Sequence, residues 1–499
     1  MASRLQIRLL FVVLLLGCGA VVGYGVATSP TTASADAVPE VEPRENATVV
    51  TESAKFGTII AWHPNGSLWY YEDEHTKYFD VDPVEGTAAT VEYAATDTIH
   101  TEGPNCRSPP CARNLIERTN LSTGETEVIY SRYDASETAA EWHDHVRVDE
   151  DHVIVADMIH DQVFKVDTET ELIEWAWDAQ ADFPVSGGGP FPGDWAHLND
   201  VELLDDGRVM VSLRNQDQVV FLDTETGLLE DWTLGEDGDH GTLYEQHNPD
   251  YIPEAHGGPA VLVADSENAR IVEYQRVDGN WTRTWEWADE RVQWPRDADR
   301  LPNGNTLITD TNGKRLIEVA PNGTIVWSVQ LSHPYDAERL GTGAESTGGA
   351  SARSLGYENR TGGDAGGGGD DGPVREFISD VLVTLASLIT GLLPHRWVNG
   401  AIYVAPVWMG RPQFFAAGVA LAVGVTWPVT ELRWRLPPLE WRLPVVRREV
   451  DEAESDGADE GADDAATADG DATATAGDPE PGEGSASVDG SESADGDEE

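Results

Sequence analysis

Three histidines recur at corresponding points of successive segments of the sequence, and an arginine takes that place in the next segment. They are His143, His197, His247 and Arg296. A neutral imidazole can attack an electrophile or transfer a proton near neutral pH. An arginine offers a planar fork of hydrogen-bond donors to an oxyanion. The four residues together predict one shared site that acts on an anionic substrate.

A catalytic zinc site is the alternative chemistry, because three imidazoles also suit Zn²⁺. The histidines come from widely separated segments, the sequence has no HExxH pattern, and the arginine suits an anion better than a metal. We therefore predict no metal and no cofactor. His145 and His256 lie close enough to the cluster in the sequence to remain second choices for a role in the site.

Short β-rich runs recur around these residues. We interpret the first run of each segment as an inner strand that positions the polar residues before it. The clearest runs are Val153–Asp157, Val209–Leu213, Val261–Asp265 and Thr306–Asp310, and their starts lie 56, 52 and 45 residues apart. Each is followed by a second run, a turn and a third run that ends in tryptophan. Such a period is typical of a β-propeller blade, so the fold class is all-β. Counting two less regular units, we predict six blades over residues 55–335, with five or seven as alternatives.

The same residues carry a resemblance to the bacterial arylsulfotransferase family. The matching elements are His143-Asp144, His197-Leu-Asn-Asp200, Val209-Met-Val-Ser-Leu-Arg214, Gln246-His247-Asn248-Pro249 and Leu301-Pro-Asn-Gly-Asn-Thr-Leu. The resemblance covers about residues 142–329. It implies a six-bladed propeller that moves a sulfuryl group from a phenolic sulfate ester to another phenol, without a nucleotide donor, through a sulfohistidine.

The resemblance also implies roles for individual residues. His247 resembles the family's nucleophile, while His143, His197 and Arg214 resemble its sulfate-binding and acid/base residues. We further assign Arg296 and Asn199 to substrate binding. The partners are then a small aryl sulfate and a phenol, and the oligomeric state stays undetermined. The competing hypotheses are a non-catalytic propeller that binds a ligand at the cell surface and a quinoprotein-like propeller, which usually has eight blades.

Two apolar, uncharged stretches, residues 9–27 and 412–430, are each long enough to cross a bilayer. Arginines precede the first stretch and follow the second: Arg4, Arg8, Arg433, Arg435, Arg442, Arg447 and Arg448. The positive-inside rule then places residues 1–8 and the tail, 431–499, in the cytoplasm and the propeller outside. A cleaved signal peptide or a lipoprotein signal ending at Cys18 are the alternatives for the first stretch.

The remaining segments connect these parts. We predict a linker at residues 28–54 and a Gly/Ser/Asp-rich linker at residues 336–374. Residues 375–398 are apolar but include Asp380, which favours an amphipathic segment at the membrane surface over a third span. The chain from Asp451 onward contains 19 acidic residues and no basic ones, so we expect a disordered acidic tail.

The charge balance limits the partners. With 90 Asp+Glu against 32 Lys+Arg, the net charge is -58, which excludes nucleic acid as the main partner and is typical of a halophile's protein. Cys106 and Cys111 are close enough in sequence to form a small disulfide loop outside the cell, or both stay reduced. Six sequons between the apolar stretches are candidate glycosylation sites: Asn46, Asn65, Asn120, Asn280, Asn322 and Asn359.

Overall fold

The computed structural model describes residues 3–28, 34–54, 57–100, 106, 110–135, 140–361 and 395–436. The chain divides into the units Met1–Leu436 and Pro437–Glu499, and all described residues belong to the first. The predicted tail therefore lies outside the described residues beyond residue 436. So do most of the predicted surface segment at 375–398 and the last part of the linker at 336–374.

Six antiparallel sheets form a six-bladed β-propeller. The first three strands supply most of one blade: β1 (Thr48–Glu52), β2 (Thr58–Trp62) and β3 (Leu68–Glu72). Two further blades follow, each from its innermost strand outward: β4 (Lys77–Pro83), β5 (Thr90–His100), β6 (Cys111–Asn120) and β7 (Glu125–Asp134), then β8 (Trp142–Arg147), β9 (His152–Asp157), β10 (Gln162–Asp167) and β11 (Leu172–Asp178).

The remaining blades follow the same order. They are β12 (Leu198–Leu203), β13 (Val209–Leu213), β14 (Gln218–Asp223), β15 (Gly227–Leu228) and β16 (Leu234–Gly235), then β17 (His247–Ile252), β18 (Ala260–Asp265), β19 (Arg270–Val277) and β20 (Asn280–Ala288), then β21 (Pro295–Arg300), β22 (Thr306–Asp310), β23 (Arg315–Val319) and β24 (Ile325–Gln330). Strand β25 (Pro334–Arg339) pairs with β1 as the innermost strand of the first blade, and β26 (Arg360–Thr361) pairs with β20.

The ring therefore closes by pairing a late strand with the earliest one. The blade count predicted from the sequence is confirmed, and five and seven blades are excluded. The sheets run from Thr48 to Arg339, somewhat beyond the predicted range of 55–335. Strand β1 had been assigned to the linker at 28–54, because it is too short to show a repeat of its own.

The second strand of each blade is apolar on both faces because it packs against both neighbouring blades. In β13, Val209 and Val211 pack into the core shared with the preceding blade, whereas Met210 packs into the core shared with the following one. Successive side chains of a strand point to opposite faces, so burial on both sides requires a continuous apolar run. Each fully buried valine contributes about 1.5–3 kcal/mol relative to exposure.

These apolar runs are not the innermost strands, which corrects the sequence interpretation. The runs beginning at Val153, Val209 and Val261 are β9, β13 and β18, the second strands of their blades. The innermost strands β8, β12 and β17 hold the candidate site residues or directly follow them. They read as loops in the sequence because the residues that face a central channel are polar.

Four helices complete the described chain: α1 (Arg4–Thr28), α2 (Ala352–Leu355), α3 (His395–Val404) and α4 (Arg411–Arg435). Helices α1 and α4 are long and apolar enough to cross a membrane. They pack antiparallel, since Arg8 Nη2 donates to Glu431 Oε2 at 2.6 Å at one end and Gly25 lies against Gln413 near the other. Their arginine-bearing ends therefore lie together.

Other sequence candidates also have places in the fold. Cys106 and Cys111 form a disulfide, beside the start of β6, and Cys18 is a free cysteine. The six sequon asparagines are all at least partly exposed. Their glycosylation stays a prediction.

Candidate active site at the channel mouth

One side chain near the start of each innermost strand faces the propeller axis. The six residues are Phe79, His143, Asn199, His247, Arg296 and Tyr335. Ring centroids are 4.5 Å apart for Phe79 and His143, and 5.7 Å apart for His143 and Tyr335. Tyr335 also lies 6.4 Å from the His247 ring, and the Arg296 Cζ lies 5.0 Å from the Tyr335 ring. All six blades thus contribute to one mouth.

A β-bulge occurs at or beside this position in every blade. The register between the first and second strands shifts in all six pairs of strands. In β8, for example, Trp142 and Asp144 are paired across the sheet while His143 between them is not. A bulge redirects the side chain of the extra residue and bends the strand. The bulges therefore aim these side chains into the channel.

His197 and Arg214 join the site from positions outside this ring. His197 directly precedes β12 with a left-handed backbone at φ 52°, so the residue equivalent to His143 in its blade is Asn199. The His197 ring still lies 5.1 Å from that of His143. Arg214 directly follows β13, and its backbone N–H donates to the His197 carbonyl at 3.3 Å. The sequence aligned His197 with His143 and His247. In the structure Asn199, two residues later, holds the equivalent position.

The surroundings of His247 define its protonation. Ser266 Oγ donates to the Pro295 carbonyl at 2.7 Å, and His247 Nδ1 lies 2.8 Å from the same hydroxyl. Because the serine hydrogen is used for the carbonyl, Nδ1 must be the donor to Ser266. Nε2 then carries the lone pair, and this buried atom has no hydrogen-bond partner among the described residues. Sequence reasoning missed Ser266, which no motif marks.

The pKa of His247 keeps the ring neutral. Burial lowers this pKa well below its ordinary value, and the charges of Arg296 and Arg214 lower it further. Burial likewise lowers the pKa of His143 well below its ordinary value, with His197 and Arg296 adding to the effect. A neutral imidazole with a free lone pair is a competent nucleophile. The geometry therefore supports nucleophilic attack by His247 Nε2.

His197 forms a dyad with an aspartate that the sequence did not single out. Its Nδ1 lies 2.6 Å from Asp194 Oδ1. Burial raises the pKa of Asp194, but the charge and hydrogen bond of His197 outweigh it and bring this pKa to about 2. The carboxylate therefore stays ionised and fixes Nδ1 as a donor, which leaves Nε2 to exchange a proton. Burial, followed by the charge of Arg214, lowers the pKa of His197.

Two guanidinium groups give the mouth its positive character. Arg214 Nη2 donates to Glu245, whereas its buried Nε has no hydrogen-bond partner among the described residues. Arg296 Nη1 donates to Ser53 Oγ at 2.9 Å, and its Cζ lies 4.5 Å from the Trp294 ring. Guanidinium groups stack on aromatic rings while keeping donors free for an oxyanion. Two arginines beside neutral histidines suit a sulfate-like group.

Helix α3 covers this mouth. Tyr403 lies 5.2 Å from the Trp294 ring and 5.0 Å from the Arg296 Cζ. Asn399 Nδ2 donates to Glu267 Oε2 at 2.8 Å, and Arg396 Nε lies 2.8 Å from Glu245 Oε1. The segment containing α3 had been predicted to lie on the membrane surface up to residue 398. Sequence reasoning missed its place at the site, since no pattern links it to residues more than a hundred positions earlier.

The second-choice histidines lie elsewhere. His145 is one step deeper in the channel, where its Nδ1 lies 2.9 Å from Asp80 Oδ2. His256 follows the far end of β17 from His247, in the turn Glu254–His256. Among the described residues, no group of side chains arranged to hold a metal ion includes His143, His197 or His247.

Tyr335 and Phe79 are further site residues that sequence reasoning missed. Each is followed by an aspartate in its innermost strand, as are His143, Asn199 and Arg296. Five of the six innermost strands contain this pair, a variable residue followed by aspartate, and it was the available signal. The pair is short and its first residue varies, so it does not stand out in an acidic sequence.

The fold and the site together define a propeller whose channel mouth is built for attack on an oxyanion-bearing substrate. The family model described as arylsulfotransferase (ASST) matches residues 148–332. The matched range includes His197, Arg214, His247 and Arg296. His143 lies just before the matched range. No curated protein matches the chain.

Several solved structures are similar to this chain at low identity. A protein of unknown function from Bacteroides caccae has 12% identity and a TM-score of 0.40, over 59% of this chain and 98% of that one. The periplasmic gluconolactonase of Pseudomonas aeruginosa has 12% identity and a TM-score of 0.39 over the same shares. Virginiamycin B lyase from Staphylococcus aureus has 9% identity and a TM-score of 0.34, over 58% and 86%.

Proposed function

We propose that this protein transfers a sulfuryl group from a phenolic sulfate ester to a phenol through a sulfohistidine, without a nucleotide donor. The observation that carries the proposal is the free, buried lone pair of His247 Nε2 beside Arg214 and Arg296. A covalent intermediate divides one difficult displacement into two easier ones. The match to the arylsulfotransferase family model supports the same activity.

In the first step, His247 Nε2 attacks the sulfur of the aryl sulfate. A bond forms between nitrogen and sulfur while the bond between sulfur and the phenolic oxygen breaks. The departing phenoxide accepts a proton from the Nε2 of His197, which takes up this proton from water when the anionic substrate binds beside it. The His247 Nδ1–H donates to Ser266 throughout, so the sulfated ring keeps its orientation. Arg214 and Arg296 bind the sulfuryl oxygens, where charge develops.

In the second step, a phenol replaces the departed product. His197, now neutral, removes its proton, and the phenol oxygen attacks the sulfur. The nitrogen–sulfur bond breaks, which returns His247 to its neutral form and yields a new aryl sulfate. Asp194 stabilises the imidazolium of His197 before the first transfer and after the second. His143 and Asn199 lie in the same ring and are assigned to binding the substrate's oxygens.

Turnover of a chromogenic aryl sulfate by the purified protein tests the proposal. We expect phenol release that a second phenol accelerates, together with a sulfated form of that acceptor in stoichiometric yield. Release without transfer to the acceptor would identify a hydrolase. No release with any aryl sulfate would favour a propeller that binds a ligand without catalysis.

Ser266→Ala should lower kcat about tenfold, since it removes one hydrogen bond that orients His247. The KM for the aryl sulfate should stay unchanged, because Ser266 contacts the nucleophile and a backbone carbonyl rather than the substrate. Steady-state kinetics of purified Ser266→Ala, with the exposed Ser328→Ala as the matched control, measure both. A rise in KM with an unchanged kcat would contradict a positioning role for Ser266.

We also propose that α1 and α4 anchor the protein in the cell membrane with the propeller outside and both termini in the cytoplasm. Their length, apolar composition and antiparallel packing support the proposal. In a Cys18→Ser background, a membrane-impermeant maleimide should label Ser122→Cys on intact cells. The same reagent should label Ser455→Cys only after lysis. Labelling of Ser455→Cys on intact cells would contradict the orientation.

A further inference from the structure

The channel below the histidine ring is lined by carboxylates in two tiers. The first tier directly follows the ring residues, and its members are Asp80, Asp144, Asp200, Asp297 and Asp336. The second tier lies two residues further along the same strands, and its members are Asp82, Glu202, Asp250, Asp299 and Glu338. Eight of these side chains are buried, all except Asp82 and Glu202. A net negative surface charge does not explain buried carboxylates, since these face no solvent.

One part of this channel gathers four carboxylates around a common point. One oxygen from each of Asp250, Asp297, Asp299 and Glu345 lies within 4.8 Å of the others. No arginine or lysine of the described residues forms an ion pair with any of the four. Like charges this close repel strongly in a buried place, where water does not screen them. Protons or a bound cation must therefore neutralise part of the charge of this cluster.

The hydrogen bonding of the cluster also points to a missing ligand. Both carboxylate oxygens of Asp297 are buried, and the side chain has 0% of its surface exposed. While the neighbouring carboxyl groups are ionised, no described residue donates a hydrogen bond to either oxygen. Asp299 Oδ2 and Asp250 Oδ1 are buried without a partner as well. Buried polar atoms in native proteins are nearly always satisfied by a partner, a water or an ion. Several such oxygens directed at one point are the arrangement of a cation site.

We propose that the channel binds a divalent cation of the calcium class through Asp250, Asp297, Asp299 and Glu345. The donors are all carboxylate oxygens, which are the ligands of hard cations, and the set contains no histidine or cysteine. Calcium accepts six to eight oxygens in flexible geometry, so water or backbone carbonyls complete its coordination. The site lies below the sulfuryl-transfer mouth and needs none of its residues.

The loop after β25 contributes to the site in a specific way. Glu345 has a left-handed backbone at φ 49°, and its N–H donates to Glu338 Oε1 at 2.6 Å. The next residue, Ser346, donates its hydroxyl to Asp250 and accepts from the Arg300 N–H at 2.6 Å. Three separate parts of the chain therefore meet at the cluster: β17, β21 and the segment that follows the closing strand. A cation bound there would link these three parts and so stabilise the closed ring of blades.

Metal content and thermal stability of the full-length, detergent-purified protein test the proposal. After EDTA treatment and transfer to KCl buffer of fixed ionic strength, added CaCl₂ should restore about one tightly bound calcium per chain. It should also raise Tm by about 5 °C or more at saturation, because the ion binds the folded state alone. The same ionic strength made up with KCl alone should give no rise.

Matched variants locate the effect. Asp299→Asn and Glu345→Gln should both abolish the calcium-dependent rise in Tm, whereas the exposed Asp151→Asn should keep it. Because Glu345 lies in a loop, Glu345→Gln still tests the site if Asp299→Asn does not fold. A Tm that is the same in EDTA and calcium but changes with pH would overturn the proposal, since shared protons would then neutralise the cluster. Full calcium binding by both variants would overturn it too.

Discussion

His247→Ala should abolish both products of a single incubation with an aryl sulfate and no acceptor. These are a burst of phenol equal to the amount of protein and a protein that carries one sulfuryl group on histidine. The loss of turnover should be at least about 10⁴-fold, as for other removed nucleophiles. Rapid-quench kinetics and intact-protein mass spectrometry measure the two products. The physical reason is that His247 Nε2 is a buried lone pair near Arg214 and Arg296, whereas His197 serves as the proton carrier.

Two comparisons make this result specific. His256→Ala should keep full activity, because His256 follows the opposite end of β17. His143→Ala should retain a burst, although a slower one, because His143 binds the substrate but forms no bond to sulfur. A sulfated histidine in His247→Ala would show that the family activity is right and the nucleophile is another residue.

Arg214→Ala should lower kcat by about 10²- to 10³-fold, the usual loss when one donor to developing charge is removed. The lowering should exceed any change in KM, since the donor gains strength as charge grows on the sulfuryl oxygens. Arg214→Lys should recover only part of the rate, because an ammonium group cannot offer two parallel donors. Steady-state kinetics with a series of aryl sulfates of different leaving-group acidity check the assignment.

The control is Arg283→Ala, which removes a guanidinium from the outer strand β20 with 38% of its side chain exposed. It should leave both constants unchanged. Glu245 also holds Arg214, so Glu245→Gln should produce a smaller loss than Arg214→Ala. If kcat is unchanged in Arg214→Ala, Arg296 alone would bind the sulfuryl oxygens where charge develops.

The site places neutral imidazoles directly beside positively charged guanidinium groups. Burial raises the cost of protonating His247 and His143, and the charges of Arg296 and Arg214 add to that cost. These two histidines therefore stay neutral while the arginines provide the positive charge for the anion. The same division keeps Asp194 ionised at a pKa of about 2 beside His197.

The sequence by itself determined the blade architecture. The second strands, such as β9, β13 and β18, are apolar on both faces because each packs between two blades, and this makes them visible as repeats. Their spacing revealed four blades directly, and two less regular units gave the predicted total of six. The spacing also placed His143, His247 and Arg296 at related positions, because each directly precedes the same kind of strand.

Only the tertiary structure decided how the site is assembled. The innermost strands are polar and bulged, so periodicity could not show that Phe79 and Tyr335 belong to the same ring as His143. Contacts across the axis join residues far apart in the chain, such as Tyr403 on α3 and Trp294. The channel carboxylates looked like ordinary acidic residues of a highly charged chain. Their burial, which depends on the ring closing through β25, is a property that no local pattern encodes.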